Sequence, residues 1–310
     1  MLWHFEFAGP VRAIRVRSAL DLAEPISLQV CAWPWRALGG REAADVAAGI
    51  AADIAIESED GWRGVLRLPG RDLPERPAES PLETASALFD VLIRLCLEQL
   101  EEQAGGHGGA YVDLHAGSAL IDGRLVAMPG PSQAGKSTLA LQLAARGHAL
   151  GGDDRLLIGP FAPDPAALAA MTLGLNARVR LPLHATSGNF AAFVDRRLIR
   201  LEGLPQGIGF LAPRSGEAAA FGVRAPLAGF VVPQRRDGGG IALEKASASD
   251  IMRQLLEQTH APHLPVEALV AAVQALAGSR PGYVLRYDDS AAAAAAIETL
   301  ARDGFRGGVG

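Results

Sequence analysis

Cysteine is scarce in this chain, which has 310 residues and only two cysteines, Cys31 and Cys96. Two cysteines so far apart form neither a disulfide framework nor a metal-binding cluster. We therefore expect each to behave as a small apolar residue in a reducing compartment.

The chain also lacks a strongly basic region and a long apolar run. Its net charge is −5, which argues against nucleic acid or an anionic membrane as the main partner. No segment approaches the length of about 20 apolar residues that a membrane-spanning helix needs. Residues 1–7 lack the basic start and apolar segment of a signal peptide. We expect a cytoplasmic protein.

One motif dominates what is present, and we call it the glycine loop (residues 130–137). It fits the pattern Gly, four residues, Gly-Lys-Ser/Thr, and its residues together with the next one are Gly130, Pro131, Ser132, Gln133, Ala134, Gly135, Lys136, Ser137 and Thr138. An apolar run precedes it and a helix-like segment follows, which is the context of a phosphate-binding loop. Its amides and Lys136 would hold nucleotide phosphates, and the Ser137 hydroxyl would hold a metal ion. The alternative is a chance match in a glycine-rich chain.

Two adjacent carboxylates, Asp153 and Asp154, lie in an extended segment shortly after the loop. Neighbouring side chains of an extended segment point to opposite faces, so one could face the metal while the other accepts a proton. The alternative is a charged turn that its own backbone caps. The chain has no Asn-Lys-x-Asp motif, no Leu-Ser-Gly-Gly-Gln motif and no further apolar strand ending in Asp at the usual distance. A GTPase switch and a transporter ATPase are therefore disfavoured.

Alternating patterns predict a β-rich region over residues 1–80. A hairpin of residues 3–7 and 11–16 is followed by a strand over 26–31 and a second hairpin of residues 52–57 and 64–68. Trp33 and Trp35 could form an exposed recognition patch, but packing is favoured. The segment 70–81 is rich in proline and charge and indicates a linker, and a helix is predicted over 81–102.

The remaining segment, residues 81–310, is predicted to be the α/β catalytic domain. Asp122 and Gly123 indicate a tight hairpin whose second strand leads into the glycine loop, unlike the usual parallel nucleotide-binding sandwich. A further hairpin is predicted from residues 230–232 and 241–243. Helices are predicted through 255–256, from 265 to 278 and after Ser290, with a strand over 283–287.

Three features of the chain form a combined pattern: His115, the glycine loop and the string Arg-Gly-His-Ala-Leu-Gly-Gly-Asp-Asp-Arg at 146–155. Together they resemble the bifunctional HPr kinase/phosphorylase family. The resemblance covers about residues 113–158. It implies a mixed β-sheet P-loop kinase core of the HPr kinase/phosphoenolpyruvate carboxykinase type, with a small β-rich N-terminal region. It also implies ATP and Mg²⁺ as cofactors and a homo-oligomeric assembly.

The resemblance implies a role for each matching residue. Asp153 would be the general base, Asp154 would help Ser137 to hold the metal or would order the site, and His115 would lie near the reacting phosphate and assist proton transfer. The alternative for His115 is a histidine at a strand end, hydrogen-bonded in the core. Lys136 and the loop amides would hold the nucleotide. The family's Glu-Ile-Arg-Gly-Leu-Gly segment is missing, and the corresponding region contains Arg178 and Arg180. These two, with Arg155, could clamp phosphate or acidic substrate groups, although a solvated strand face is an equal alternative.

The expected function is an ATP- and Mg²⁺-dependent serine kinase acting on a protein or peptide. Because the chain resembles shorter relatives found with lasso-peptide and other peptide natural-product gene sets, a ribosomal precursor peptide is the expected substrate. The β-rich region would help to present it. Two alternatives stay open: a kinase of a small hydroxyl metabolite such as free serine, and a nucleotide-binding regulator with little turnover.

Overall fold

A computed structural model describes residues 2–48, 54–59, 63–68, 78–104, 111–159, 168–181, 188–199, 207–261 and 263–306. The chain divides into two compact units, Met1–Gln103 and Ala104–Gly310. The sequence places the boundary at residue 80 instead, so the two divisions differ by one helix. Most of the predicted linker lies outside the described residues.

The first unit is an α/β unit with one mixed sheet. Its strands are β1 (Trp3–Phe7), β2 (Ile14–Ser18), β3 (Trp35–Ala37), β4 (Ile54–Glu59) and β5 (Arg63–Arg67), and its helices are α1 (Ala23–Gln29), α2 (Gly40–Ala48) and α3 (Pro81–Gln103). The strand order is β3-β1-β2-β4-β5, and β2 and β4 are parallel while the other pairs are antiparallel. Both predicted hairpins, β1–β2 and β4–β5, are confirmed. Helix α3 packs against β5 and α1, which explains why it groups with this unit.

The strand predicted over residues 26–31 is wrong, because α1 covers most of it. The side chain of Asp21 accepts a hydrogen bond from the backbone N–H of Ala23 and so satisfies a free amide at the helix start. Leu22 and Ile26, four residues apart, are both fully buried. Leu28 is buried as well, although residues two apart lie on different sides of a helix, so burial on more than one side of α1 gives the alternation that indicated a strand.

The tryptophan pair packs within the first unit, as the sequence favours. Trp33 is 2% exposed, and its ring lies against Phe7 and Phe89 with centroid distances of 6.4 and 5.7 Å. Its indole N–H donates to the carbonyl of Ala8 at 2.7 Å. Trp35 is partly buried and stacks on Phe7. Trp33 is thus a core residue and offers no exposed surface to a partner.

The second unit contains a larger mixed sheet and a small antiparallel one. Its strands are β6 (Val112–Leu114), β7 (Ala116–Ile121), β8 (Arg124–Pro129), β9 (Ala149–Gly152), β10 (Leu156–Gly159), β11 (Ala169–Met171), β12 (Ala177–Arg180), β13 (Leu198–Ile199), β14 (Ile208–Leu211), β15 (Arg224–Arg235), β16 (Ala242–Lys245), β17 (Thr259–His260) and β18 (Gly282–Tyr287). Its helices are α4 (Lys136–Ala145), α5 (Gly188–Asp195), α6 (Ala248–Gln258), α7 (Val266–Ser279) and α8 (Ser290–Arg302). The larger sheet has ten strands, and β12, β14 and β13 form the small sheet.

Strand β15 is the centre of the larger sheet. Its first part pairs with β11, its middle with β8 and its last part with β18, the latter two in parallel. The hairpin predicted from residues 230–232 and 241–243 is wrong, because β18 lies between β15 and β16 and pairs with both. Asp288 fixes the connecting loop by accepting a hydrogen bond from the N–H of Gly240 at 2.9 Å. The connection therefore crosses two strand spacings, about 10 Å, instead of one.

The predicted hairpin before the glycine loop is confirmed as β7–β8. Asp122 and Gly123 both have positive φ, at 47° and 77°, as a tight two-residue turn requires. Strand β8 ends at Pro129 and α4 begins at Lys136, so the loop joins a buried strand to a helix. Among the residues described, no helix is long and apolar enough to cross a membrane.

Candidate functional site

The glycine loop is held tightly against the end of β18. Gly135 has φ of 97°, and a Cβ atom at this position would overlap the hydroxyl of Tyr287. That hydroxyl donates a hydrogen bond to the carbonyl of Ala134 at 3.2 Å. Only glycine meets both the conformational and the steric requirement. The loop N–H groups and the start of α4 together form the type of site that binds anions.

Lys136 lies across the glycine loop and is 5% exposed. Its ammonium group donates to the carbonyls of Gly130 and Pro131 at 2.8 and 3.1 Å. Burial lowers the pKa of Lys136, and the nearby carboxylates of Asp154 and Asp153 oppose that change. The cationic form is thus held by two carbonyl groups, which the oxygens of a phosphate could replace.

Asp153 is buried beside the glycine loop. Its Oδ2 atom accepts a hydrogen bond from the backbone N–H of Arg178 at 3.1 Å, and the Ser137 hydroxyl lies close enough to lower the pKa of the carboxyl. Burial and the neighbouring Asp154 carboxylate outweigh this and raise the pKa of Asp153 to about 7. Its Oδ1 atom makes no hydrogen bond with any of the described residues. The side chain therefore keeps one oxygen that can accept a further hydrogen bond or bind a metal ion.

Asp154 differs from its neighbour because it is half exposed. It has φ of 69°, and its Oδ1 atom lies 3.1 Å from Nε2 of His115. The hydrogen bond from His115 lowers the pKa of Asp154, so this carboxyl loses its proton at a lower pH than Asp153 does. The backbone N–H of His115 donates to the carbonyl of Gln258 at 2.8 Å and fixes the position of the histidine.

Arg155 does not join this site. Its guanidinium pairs with the carboxylate of Asp113, which is 1% exposed. A buried carboxylate needs such a partner, so the ion pair gives Arg155 a structural role. Arg155 is not among the described residues that line the loop cavity, and its role as a clamp for phosphate or substrate groups stays a prediction.

The glycine loop faces a cavity of about 1150 Å³, which we call the loop cavity. His115 and Asp154 line one part of it, and Arg178 and Arg180 of β12 line another. Arg235 and residues 287–290, at the ends of β15 and β18, also line it, as do Val179, Leu181, Gly207 and Ile208. The structure thus brings together the loop, one aspartate, the histidine and two of the predicted arginines, while Asp153 lies behind Ser137.

A divalent cation fits the pair of Ser137 and Asp153. The described residues contain no group of three His, Cys, Asp or Glu side chains that could enclose a metal. Mg²⁺ does not need one, because it is usually held by one or two protein oxygens, water and the phosphates of the substrate. A hydroxyl beside a buried carboxylate with a free acceptor atom provides that kind of donor set.

Sequence reasoning did not find Tyr287 and Arg235. Both belong to the larger sheet. Arg235 ends β15, which pairs with β8, and Tyr287 ends β18, which pairs with β15. Tyr287 is about 150 residues from the loop in the chain, and no local pattern indicates the contact. Only strand pairing could have revealed it.

No protein-family model and no curated protein matches this chain. Among solved structures, the chain is similar to the HPr(Ser) kinase/phosphatase from Coxiella burnetii, with 18% sequence identity. The match covers 62% of this chain and 94% of that chain, with a TM-score of 0.29. A likeness at this level supports no assignment of function.

Proposed function

We propose that the protein is a kinase that transfers the γ-phosphoryl group of ATP to a serine hydroxyl with the help of Mg²⁺. The observation that carries this proposal is the single cavity that joins the glycine loop to the Asp154–His115 pair. One side of the cavity can hold the phosphates of a donor, and the other offers a group that accepts a proton. Phosphoryl transfer requires both.

The donor side consists of the glycine loop and α4. The loop amides, the positive end of α4 and the ammonium group of Lys136 bind the β- and γ-phosphates. Ser137 and Asp153 would hold Mg²⁺, which when bound neutralises charge that develops on the phosphate oxygens. Tyr287 keeps the loop in its conformation through the carbonyl of Ala134.

The structure favours an assignment of the two aspartates opposite to the one that the family resemblance implies. Asp153 is buried beside Ser137, which suits a metal-holding residue. Asp154 lines the cavity, where a substrate hydroxyl can reach it, and His115 lies within hydrogen-bond distance to take the proton on. The serine hydroxyl gives its proton to the Asp154–His115 pair while its oxygen attacks the γ-phosphorus, and ADP leaves.

Nucleotide binding can be tested without knowledge of the acceptor, because the chain has only two lysines, Lys136 and Lys245. An acyl-phosphate derivative of ATP acylates lysines close to its phosphates. We expect acylation of Lys136 that excess ATP suppresses, whereas Lys245 on exposed β16 serves as the internal control. Equal labelling of both lysines, unaffected by ATP, would refute phosphate binding at the loop.

The roles of the aspartates can be separated kinetically with two variants. Asp153→Asn should raise the Mg²⁺ concentration needed for half-maximal transfer, because it removes an anionic metal ligand. Asp154→Asn should lower kcat by roughly two to four powers of ten with ATP affinity retained, the usual contribution of a general base. Asp237→Asn, in an exposed loop, is the matched control. If Asp154→Asn keeps full kcat and Asp153→Asn loses it at saturating Mg²⁺, the assignment implied by the resemblance is right.

The acceptor is proposed to be a peptide, with a ribosomal precursor peptide as the expected class. Presentation of that peptide by the first unit and homo-oligomeric assembly also stay predictions. The burial of Trp33 removes one of the two aromatic residues that suggested a recognition surface. Any such surface must involve other residues.

A further inference from the structure

Three arginines that line the loop cavity, Arg178, Arg180 and Arg235, form no ion pair with a described carboxylate. Arg178 nevertheless lies near enough to Asp154 to lower the pKa of that carboxyl. Arg178 and Arg180 lie on the same exposed face of β12, and no described carboxylate makes an ion pair with either. Other arginines of this unit do have partners, such as Arg197 with Glu217 and Arg286 with Glu244. In a chain with a net charge of −5, unpaired guanidinium groups in a cavity indicate an anionic ligand.

The position of β12 places these arginines next to the reacting groups. The backbone N–H of Arg178 binds Asp153, so β12 begins beside the aspartate pair. Arg180 lies two residues further along, about 7 Å from Arg178. An extended peptide with its serine hydroxyl at Asp154 would place residues one or two positions from the serine at this distance.

The carboxylates elsewhere in the cavity are already engaged. Asp288 accepts from the N–H of Gly240, and Asp289 caps α8 by accepting from Ala291 and Ala292 at 2.7 and 2.8 Å. Asp154 is paired with His115. These hydrogen bonds fix the carboxylates in place but leave their charge. An acidic acceptor therefore gains only where it lies along β12, which carries two guanidinium groups.

We propose that β12 binds a peptide acceptor that carries carboxylate side chains one or two residues from its serine. Arg178 and Arg180 determine this specificity through charge-assisted hydrogen bonds. The inference rests on the proposed function, since it takes the Asp154 side of the cavity as the acceptor side. The alternative, in which both arginines bind the nucleotide phosphates, is an outcome of the test.

The test measures peptide binding, so it does not require turnover. The full chain is saturated with Mg²⁺ and a non-hydrolysable ATP analogue and titrated with three labelled pentapeptides whose central serine is flanked by Glu, Gln or Lys. We expect the Glu peptide to bind about tenfold or more tightly than the Gln peptide. Arg178→Ala and Arg180→Ala should abolish that preference, whereas Arg253→Ala, on exposed α6, should keep it. Arg180→Glu should shift the preference toward the Lys peptide.

Equal affinity for the three peptides, or no binding of any of them, would overturn the proposal. So would a full preference for Glu in Arg180→Ala. Weaker binding of the ATP analogue in both alanine variants, with no peptide preference in the unmodified chain, would assign the arginines to the nucleotide. Phosphoserine formation is measured separately on the same peptides. Binding with the expected preference but without phosphoryl transfer would refute the proposed kinase activity. It would not contradict the proposed site for acidic peptides.

Discussion

Replacement of Asp153 by asparagine should change how the stability of the metal-free protein depends on pH. The folded state raises the pKa of this carboxyl from 3.8 to about 7, chiefly through burial. Well below pH 3.8 the group is neutral in both states and does not affect the stability. As the pH rises toward 7 the folded state still holds the proton that the unfolded state has lost. Stability therefore falls over this range.

The size of the effect follows from the two pKa values. A difference of about 3 pH units at about 1.4 kcal/mol each gives about 4 kcal/mol as an upper limit. Part of the rise is due to repulsion by Asp154, so we expect about 2–4 kcal/mol. Asparagine keeps an acceptor for the N–H of Arg178 and has no charge to bury. Asp153→Asn should therefore gain stability relative to the unmodified chain between pH 5 and pH 8.

Urea unfolding in the presence of a chelator measures this difference, and the chain provides its own probes. All four tryptophans, Trp3, Trp33, Trp35 and Trp62, belong to the first unit, and all three tyrosines belong to the second. The transition that reports the second unit should shift with pH in the variant relative to the parent, while tryptophan emission should not. Asp237→Asn is the control. Identical pH dependence of Asp153→Asn and the parent would refute the reasoning.

Three other substitutions test the packing around these sites. Gly135→Ala should destabilise the second unit by at least about 1 kcal/mol and abolish ATP binding. Gly135 has a positive φ, and a Cβ atom at this position would overlap the Tyr287 hydroxyl. Retained affinity in a calorimetric titration with ATP would contradict this prediction. Trp33→Ala should cost the first unit about 3–5 kcal/mol, measured by the emission of the other tryptophans, and a loss below about 1 kcal/mol would contradict its burial. The hydrogen bond from Arg197 lowers the pKa of Glu217 below 4.5, so this pair stabilises the fold above that pH and the contribution is lost in acid. Glu217→Gln should therefore be about 1–2 kcal/mol less stable at pH 7, and the difference should shrink as the pH falls through the lowered pKa of Glu217. A difference that stays constant with pH would show that the charge is unimportant.

Features that depend on neighbouring residues were predictable from the sequence. The β7–β8 hairpin follows from Asp122 and Gly123, and the loop between β8 and α4 follows from its glycines and flanking periodicity. The proximity of Asp153 to the loop follows from chain distance and the short helix α4. These are local rules, and they hold because the turn residues allow few alternatives.

Features that depend on strand pairing were not predictable. The hairpin expected around residues 230–243 does not form, because β18, about 40 residues further along the chain, lies between its two strands. The same insertion places Tyr287 against Gly135 and Arg235 in the loop cavity. The different environments of Asp153 and Asp154 depend on β12 and His115, whose contacts span 25 and 39 residues. Alternation alone cannot assign such contacts.

Phosphoserine formation tests the central claim most directly. The chain is incubated with Mg²⁺, γ-labelled ATP and the Glu-flanked serine pentapeptide, and ADP and phosphoserine are quantified together. We expect one phosphoserine for each ADP, with Lys245→Ala as active as the parent and with transfer reduced by at least about a hundredfold in Lys136→Ala and Asp154→Asn. ADP release without phosphoserine, or equal transfer by Lys136→Ala and the parent, would contradict the proposal that this cavity carries out serine phosphorylation.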